Sequence, residues 1–148
     1  MSASQFVYVT YIRTTPEKLW EALTGADFIR QYFFGVTFDT DWNVGSTWRM
    51  VHADGKVTDA GEVLEFTPPS RLALKWRNEF MPECTAEGYT HFLAEVEAYN
   101  DDVAKLSITH TSDVEHSNTI RAVSGGWPRI LSNLKSLLEN GQVVIPAK

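Results

Sequence analysis

From Gly125 to Gly141 the chain reads GGWPRILSNLKSLLENG, the one stretch long and two-sided enough to lie across a whole sheet. Trp127, Ile130, Leu131, Leu134, Leu137 and Leu138 recur at three- and four-residue steps, while Arg129, Ser132, Asn133, Lys135 and Ser136 fall between them. One helical face is therefore apolar. Pro128 has no N–H and fits a first turn, Lys135 sits towards the negative end of the helix dipole, and Gly141 supplies a left-handed stop. The spacing predicts a helix entered through Gly-Gly-Trp-Pro. On that reading Gly125 and Gly126 let the helix start close to its neighbour, and Trp127 fills the space between them.

The rest of the chain changes period in an orderly way. Residues 5–13, QFVYVTYIR, are β-branched and aromatic on both parities, which suits a strand covered on both faces or lying near an edge. TTPEKLWEALTG then switches to helical spacing, with Thr14 or Thr15 as cap, Pro16 in the first turn, a Leu19, Trp20, Leu23 stripe, and Gly25 as terminator. ADFIRQYFF follows as a second short helix. After Gly35, strand-like runs alternate with turn signals at WNVGS, ADGK, TPPS and YNDD. Parity places Leu72, Leu74 and Trp76 inward against Arg71, Lys75 and Arg77; Phe92, Ala94 and Val96 against Glu95 and Glu97; and Leu106, Ile108 and His110 against Lys105, Ser107 and Thr109. This is an antiparallel meander whose apolar face needs a cover, and the C-terminal helix is the element that provides it. The expected class is α+β, in a single domain over 1–148.

Charge and motif content exclude several functions. A formal net charge of -6 has the wrong sign for nucleic acid or an anionic membrane surface. No run approaches the roughly 20 apolar residues of a membrane helix, so membrane insertion is not expected. Cys84 is the only cysteine and MSASQFVYVTY does not resemble a signal peptide, so a cytoplasmic location is the expectation. Nucleophile elbows, phosphate-binding glycine loops and dinucleotide fingerprints are absent. DTDWNVG opens like a calcium loop, but its glycine is one position late and Met50 stands where a bidentate Glu belongs. His52, His91, His110 and His116 lack zinc spacing. No metal and no cofactor are expected. Glu62, Glu65, Glu95 and Glu97 read as the wet side of half-exposed strands. His110 is the one histidine on an inward parity, read first as a neutral, hydrogen-bonded core imidazole and second as a group that orients a ligand.

TPEKLWEALT after the first strand, VGSTWRM, DGKVTDAGEVLEFTPPSRLALKW and GGWPRILSNLKSLLENG together resemble the START-like (SRPBCC) superfamily, and most closely its activator of Hsp90 ATPase homologue 1-like group. The resemblance implies a helix-grip fold, a curved antiparallel sheet wrapped around a long C-terminal helix with two short helices after the first strand. It also implies an apolar cavity between helix and sheet. Its wall would be Trp48, Met50, Leu74, Trp76, Phe92, Ile108, His110, Trp127 and Leu131, with Trp20, Phe33 and Phe34 near the entrance. The leading function is binding of a small hydrophobic or aromatic molecule. The alternatives are a cavity enzyme of the polyketide cyclase type, and a co-chaperone-like interaction module; a homodimer or another protein partner stays open. Fold alone does not choose between them.

Overall fold

The computed structural model describes residues 3–147. Its elements run β1 (Ser4–Ile12), α1 (Pro16–Thr24), α2 (Ala26–Tyr32), β2 (Thr37–Asp39), β3 (Thr47–Val51), β4 (Val57–Thr67), β5 (Arg71–Asn78), α3 (Pro82–Thr85), β6 (Thr90–Ala98), β7 (Ala104–Ser112) and α4 (Asn118–Asn140). The seven strands form one antiparallel curved sheet in the order β1-β7-β6-β5-β4-β3-β2, with β1 at an edge. This is the helix-grip α+β fold. None of the described helices is long and apolar enough to cross a membrane.

The inward parities are those set by strand alternation. Leu72, Leu74, Trp76, Phe92, Ala94, Val96, Leu106, Ile108 and His110 are all buried, and the apolar members pack with Trp127, Ile130, Leu131 and Leu134 of α4 in one core. Ala73 is also buried. It stands opposite Glu65, where the β4–β5 register shifts past Leu64, and the extra residue interrupts the alternation of β4. Arg71 on the outer face donates to both Glu65 and Glu95, so those carboxylates belong to an exposed ion-pair cluster.

The helix entry differs from the reading by residue spacing. α4 begins at Asn118, so Gly125, Gly126 and Pro128 lie inside it. Local propensity argued for a boundary at Gly-Gly-Trp-Pro, and tertiary packing overrides it: Ile120 and Trp127 are buried on one side, and Val123 packs beside them. No close approach explains the glycines, since a Cβ on either would meet nothing within 4 Å. The true entry is capped from another element. The Ser117 hydroxyl accepts from the Ile120 N–H at 3.1 Å and donates to Glu87 at 2.7 Å, and the Glu87 carboxylate takes the Asn118 N–H at 2.7 Å. Burial pushes the Glu87 carboxyl up, but these donors outweigh it and the net shift is downward. Glu87→Ala should therefore cost about 1–2 kcal/mol in urea denaturation, the usual value of a helix cap with a favourable dipole.

The far end obeys the sequence: Gly141 caps α4 at φ 81. Asn133, grouped by spacing with the polar face, is instead fully buried. Its amide is saturated, donating to the carbonyls of Tyr32 and Ile145 at 3.3 and 2.8 Å and accepting from the N–H groups of Val144 and Ile145 at 3.1 and 2.7 Å. A buried polar side chain is stable where its hydrogen bonds are complete.

One glycine is obligatory for close approach. Gly61 stands between Trp48 of β3 and Trp76 of β5 in the register, and a Cβ there would fall 1.6 Å from the Lys75 carbonyl oxygen. Without a side chain at that point the two indoles meet, with centroids 4.5 Å apart.

Candidate functional site

Among the described residues, a small space and a larger one lie between α4 and the sheet, and they differ in kind. The enclosed one is about 20 Å³, bounded by Leu23, Tyr32, Phe33, Phe38, Leu72, Phe92, Ala94, Ile108, Trp127 and Leu131. That is room for about one water. The centre of the grip is thus filled by side chains. The other space is an open groove of about 540 Å³ towards the N-terminal half of α4, within the range of small-molecule sites.

The groove is built from strand ends and one helix face. The register sets Met50 against Asp59 and Asp59 against Asn78, so β3, β4 and β5 contribute one row, with Trp76 two residues back along β5. His52, Lys56 and Thr58 continue the wall along the β3–β4 hairpin, and Phe80 follows β5. Across from them α4 presents Ala122, Val123, Gly126, Trp127, Arg129 and Ile130, while Phe33 closes one side. Small residues at 122 and 126 leave the space open on the helix side.

Asp59 is the buried charge of this wall, 8% exposed. The Trp76 indole N–H donates to its Oδ2 at 2.7 Å. Burial pushes the Asp59 carboxyl above its ordinary range, assisted by Glu79, while Trp76, Thr58 and the nearby His52 act in the opposite direction without cancelling it. The His52 Nε2 and the Thr58 hydroxyl lie 2.8 Å apart. Lys56 sits over the Phe80 ring, 5.3 Å from its centroid. Among the described residues no group of His, Cys, Asp and Glu is arranged to hold a metal ion.

The residues expected to line a cavity divide among several places. Phe33, Met50, Trp76 and Trp127 line the groove; Phe92, Ile108 and Leu131 line the small void, which shares Phe33 and Trp127 with the groove. Leu74 and Trp48 are fully buried in the core, and the Trp48 indole N–H has no acceptor among the described residues. Trp20 is buried against Phe66, ring centroids 5.5 Å apart. Phe34 occupies the left-handed region at φ 52 and lies by a shallow depression beside Arg129 and Ile145.

His110 has both ring nitrogens engaged. Thr90 donates its hydroxyl hydrogen to the Trp76 carbonyl at 2.8 Å, so His110 Nε2–H donates to that hydroxyl at 2.7 Å, and Nδ1 accepts from the Trp127 indole at 3.3 Å. Burial, with His91 in support, holds the imidazole far below its usual range, to about 3. It is a neutral structural histidine that fixes Trp127, as the first reading of its inward parity expected.

Residue spacing missed Asp59, His52, Lys56, Phe80 and the Ala122–Val123 part of α4. Asp59 had a legible signal, since it shares the inward parity of β4 with Gly61 and Val63. The α4 residues were hidden by the misplaced helix start, and Phe80 lies in a bend that no period describes.

The comparisons agree on the fold. The chain resembles solved structures of an HSP90 activator from Plasmodium falciparum (23% identity, TM-score 0.74, covering 90% of this chain and 95% of that one) and of protein MLL2253 from Mesorhizobium loti (22%, 0.77, 91% and 96%). It also resembles the Aha1 dimer from Colwellia psychrerythraea (20%, 0.71, 93% and 98%). At these identities the likeness is one of fold. A comparison with curated proteins finds no match. The sequence pattern described as Activator of Hsp90 ATPase homolog 1-like protein matches residues 13–139, nearly the whole length of the fold, and the chain belongs to that family.

Proposed function

We propose that the chain acts as a single domain that binds a small apolar or aromatic molecule in the groove between α4 and the β3–β5 side of the sheet. The observation that carries this is the groove itself: about 540 Å³, walled by Trp76, Trp127, Phe33, Met50, Phe80 and Ile130, with a few polar groups at one side. That combination of volume, aromatic lining and sparse polar groups is typical of small-molecule sites. The residues in the small void and core support the wall from behind. Trp76 and Trp127 make binding visible, because a ligand against them changes their fluorescence.

Gly126 gives the sharpest test. Nothing stands within 4 Å of a Cβ built there, and the residue faces the groove. Gly126→Leu should fill the site and weaken a bound naphthalene probe at least tenfold, while stability holds or rises by up to about 1 kcal/mol from helix propensity. Gly125→Leu, at a position outside the groove wall, should gain similar stability and leave binding intact. Unchanged fluorescence titration in Gly126→Leu would place the ligand elsewhere.

A second reading is a protein partner or a second copy of the chain, favoured by the edge strand. Val7, Val9 and Tyr11 of β1 are 52%, 47% and 44% exposed, and Tyr99 packs edge-on against Tyr11 at 5.0 Å. An edge strand with an exposed apolar stripe is a surface on which another chain can pair. Sedimentation of the wild-type protein across a concentration series tests this reading.

A further inference from the structure

Resting on the groove as the ligand site, we propose that its ligand carries a cationic amine head on an aromatic body, with Asp59 as the residue that receives the head. Three observations support this.

The first is the state of the Asp59 carboxylate. The residue is 8% exposed in the groove wall, and its side-chain donors are neutral: the Trp76 indole at 2.7 Å and the Thr58 hydroxyl. Among the described residues it takes part in no ion pair with Lys or Arg. The arginines of β5 do not supply one, since Arg71 binds Glu65 and Glu95, and Arg77 binds Glu79. A desolvated carboxylate with only neutral donors gains most from an incoming cation.

The second is the aromatic surround. Trp76 and Trp127 both contribute to the groove wall, their ring centroids 5.7 Å apart at 75°, and Phe33 stands edge-on to Trp127 at 5.8 Å. Electron-rich ring faces attract a cation as well as covering an aromatic body. The site therefore favours both halves of such a molecule.

The third is where the groove's own cations lie. Lys56 and Arg129 are exposed; Lys56 lies over Phe80, and the Arg129 Nε donates to the Gly125 carbonyl at 3.3 Å. Solvent and salt screen them at the mouth, whereas Asp59 acts from a drier wall where each charge counts for more. Asp54 is likewise exposed, and His52 spends its Nε2 on Thr58. The depth of the charges selects the sign of the ligand head.

The test uses three probes on one skeleton at pH 7.5: 1-naphthylmethylamine, 1-naphthylmethanol and 1-naphthoate, titrated against intrinsic tryptophan fluorescence and by calorimetry. The wild-type protein should bind the amine about tenfold or more tightly than the alcohol, with the carboxylate weakest. Asp59→Asn keeps the shape and an acceptor for the Trp76 N–H; it should abolish the amine's advantage while changing the alcohol less than about threefold. Equal binding of amine and alcohol by the wild-type protein, or an amine preference that survives in Asp59→Asn, overturns the inference and leaves the groove reading standing. Tighter binding of the carboxylate than of the amine also overturns it and assigns the head group to Lys56 and Arg129. Failure of all three probes to bind overturns both the inference and the groove reading. Because the wild-type preference is decisive alone, the test does not depend on the variant folding.

Discussion

Gly61→Ala should leave little folded protein. The added methyl would sit 1.6 Å from the Lys75 carbonyl oxygen and 2.6 Å from its carbon, and both belong to the backbone of the adjacent strand. A flexible side chain could swing aside; a strand bonded to β4 and β6 cannot. Overpacked cores ordinarily lose about 1–3 kcal/mol, and a clash with main chain belongs at or beyond the top of that range. Relief would require parting β4 from β5, which separates Trp48 from Trp76 and moves Asp59 away from the Trp76 indole. The measurement is soluble yield with the urea midpoint. A midpoint within the error of the wild type would mean that the strands can part at Gly61 without loss, and the account of the Trp48–Trp76 contact would fall.

Trp127→Ala should destabilise the protein by about 3–5 kcal/mol, the usual cost of truncating a buried large aromatic. The indole is 5% exposed and stacks on Phe92 with centroids 5.3 Å apart. Its N–H is the donor that satisfies His110 Nδ1, so the truncation also leaves a buried acceptor unpaired. Arg129→Ala, two residues on at an exposed position, should move the midpoint little. A small effect at Trp127 in the same denaturation series would show that the wall it forms bears no structural load.

The sequence carried the strands better than the helix start, for a physical reason. Alternation has only two phases, so Leu72-Leu74-Trp76 and Leu106-Ile108-His110 could be assigned to a face once one member was placed. A helix boundary depends on local preference and on distant contacts together. At Gly125-Gly126-Trp127-Pro128 the local preference was for a helix start, and the burial of Ile120 together with the Glu87 cap from before β6 set the start earlier, at Asn118. The site was legible in part. Phe33, Met50, Trp76 and Trp127, which the family resemblance implied for a cavity, line the groove. Asp59 was passed over because an acidic residue in a half-exposed strand is most often wet, and only the register with Met50 and Asn78 shows that it is not.

Phe33 and Trp127 stand between the open groove and the closed void, each forming part of both walls. On the proposed reading of the groove as a ligand site, its depth is set by these two side chains, while the sheet and the long helix serve as fixed boundaries. A smaller residue at Phe33 would open the groove towards Phe92 and Ile108 and make room for a longer probe than the wild-type protein takes; at Trp127 the same opening would come with the loss of stability argued above.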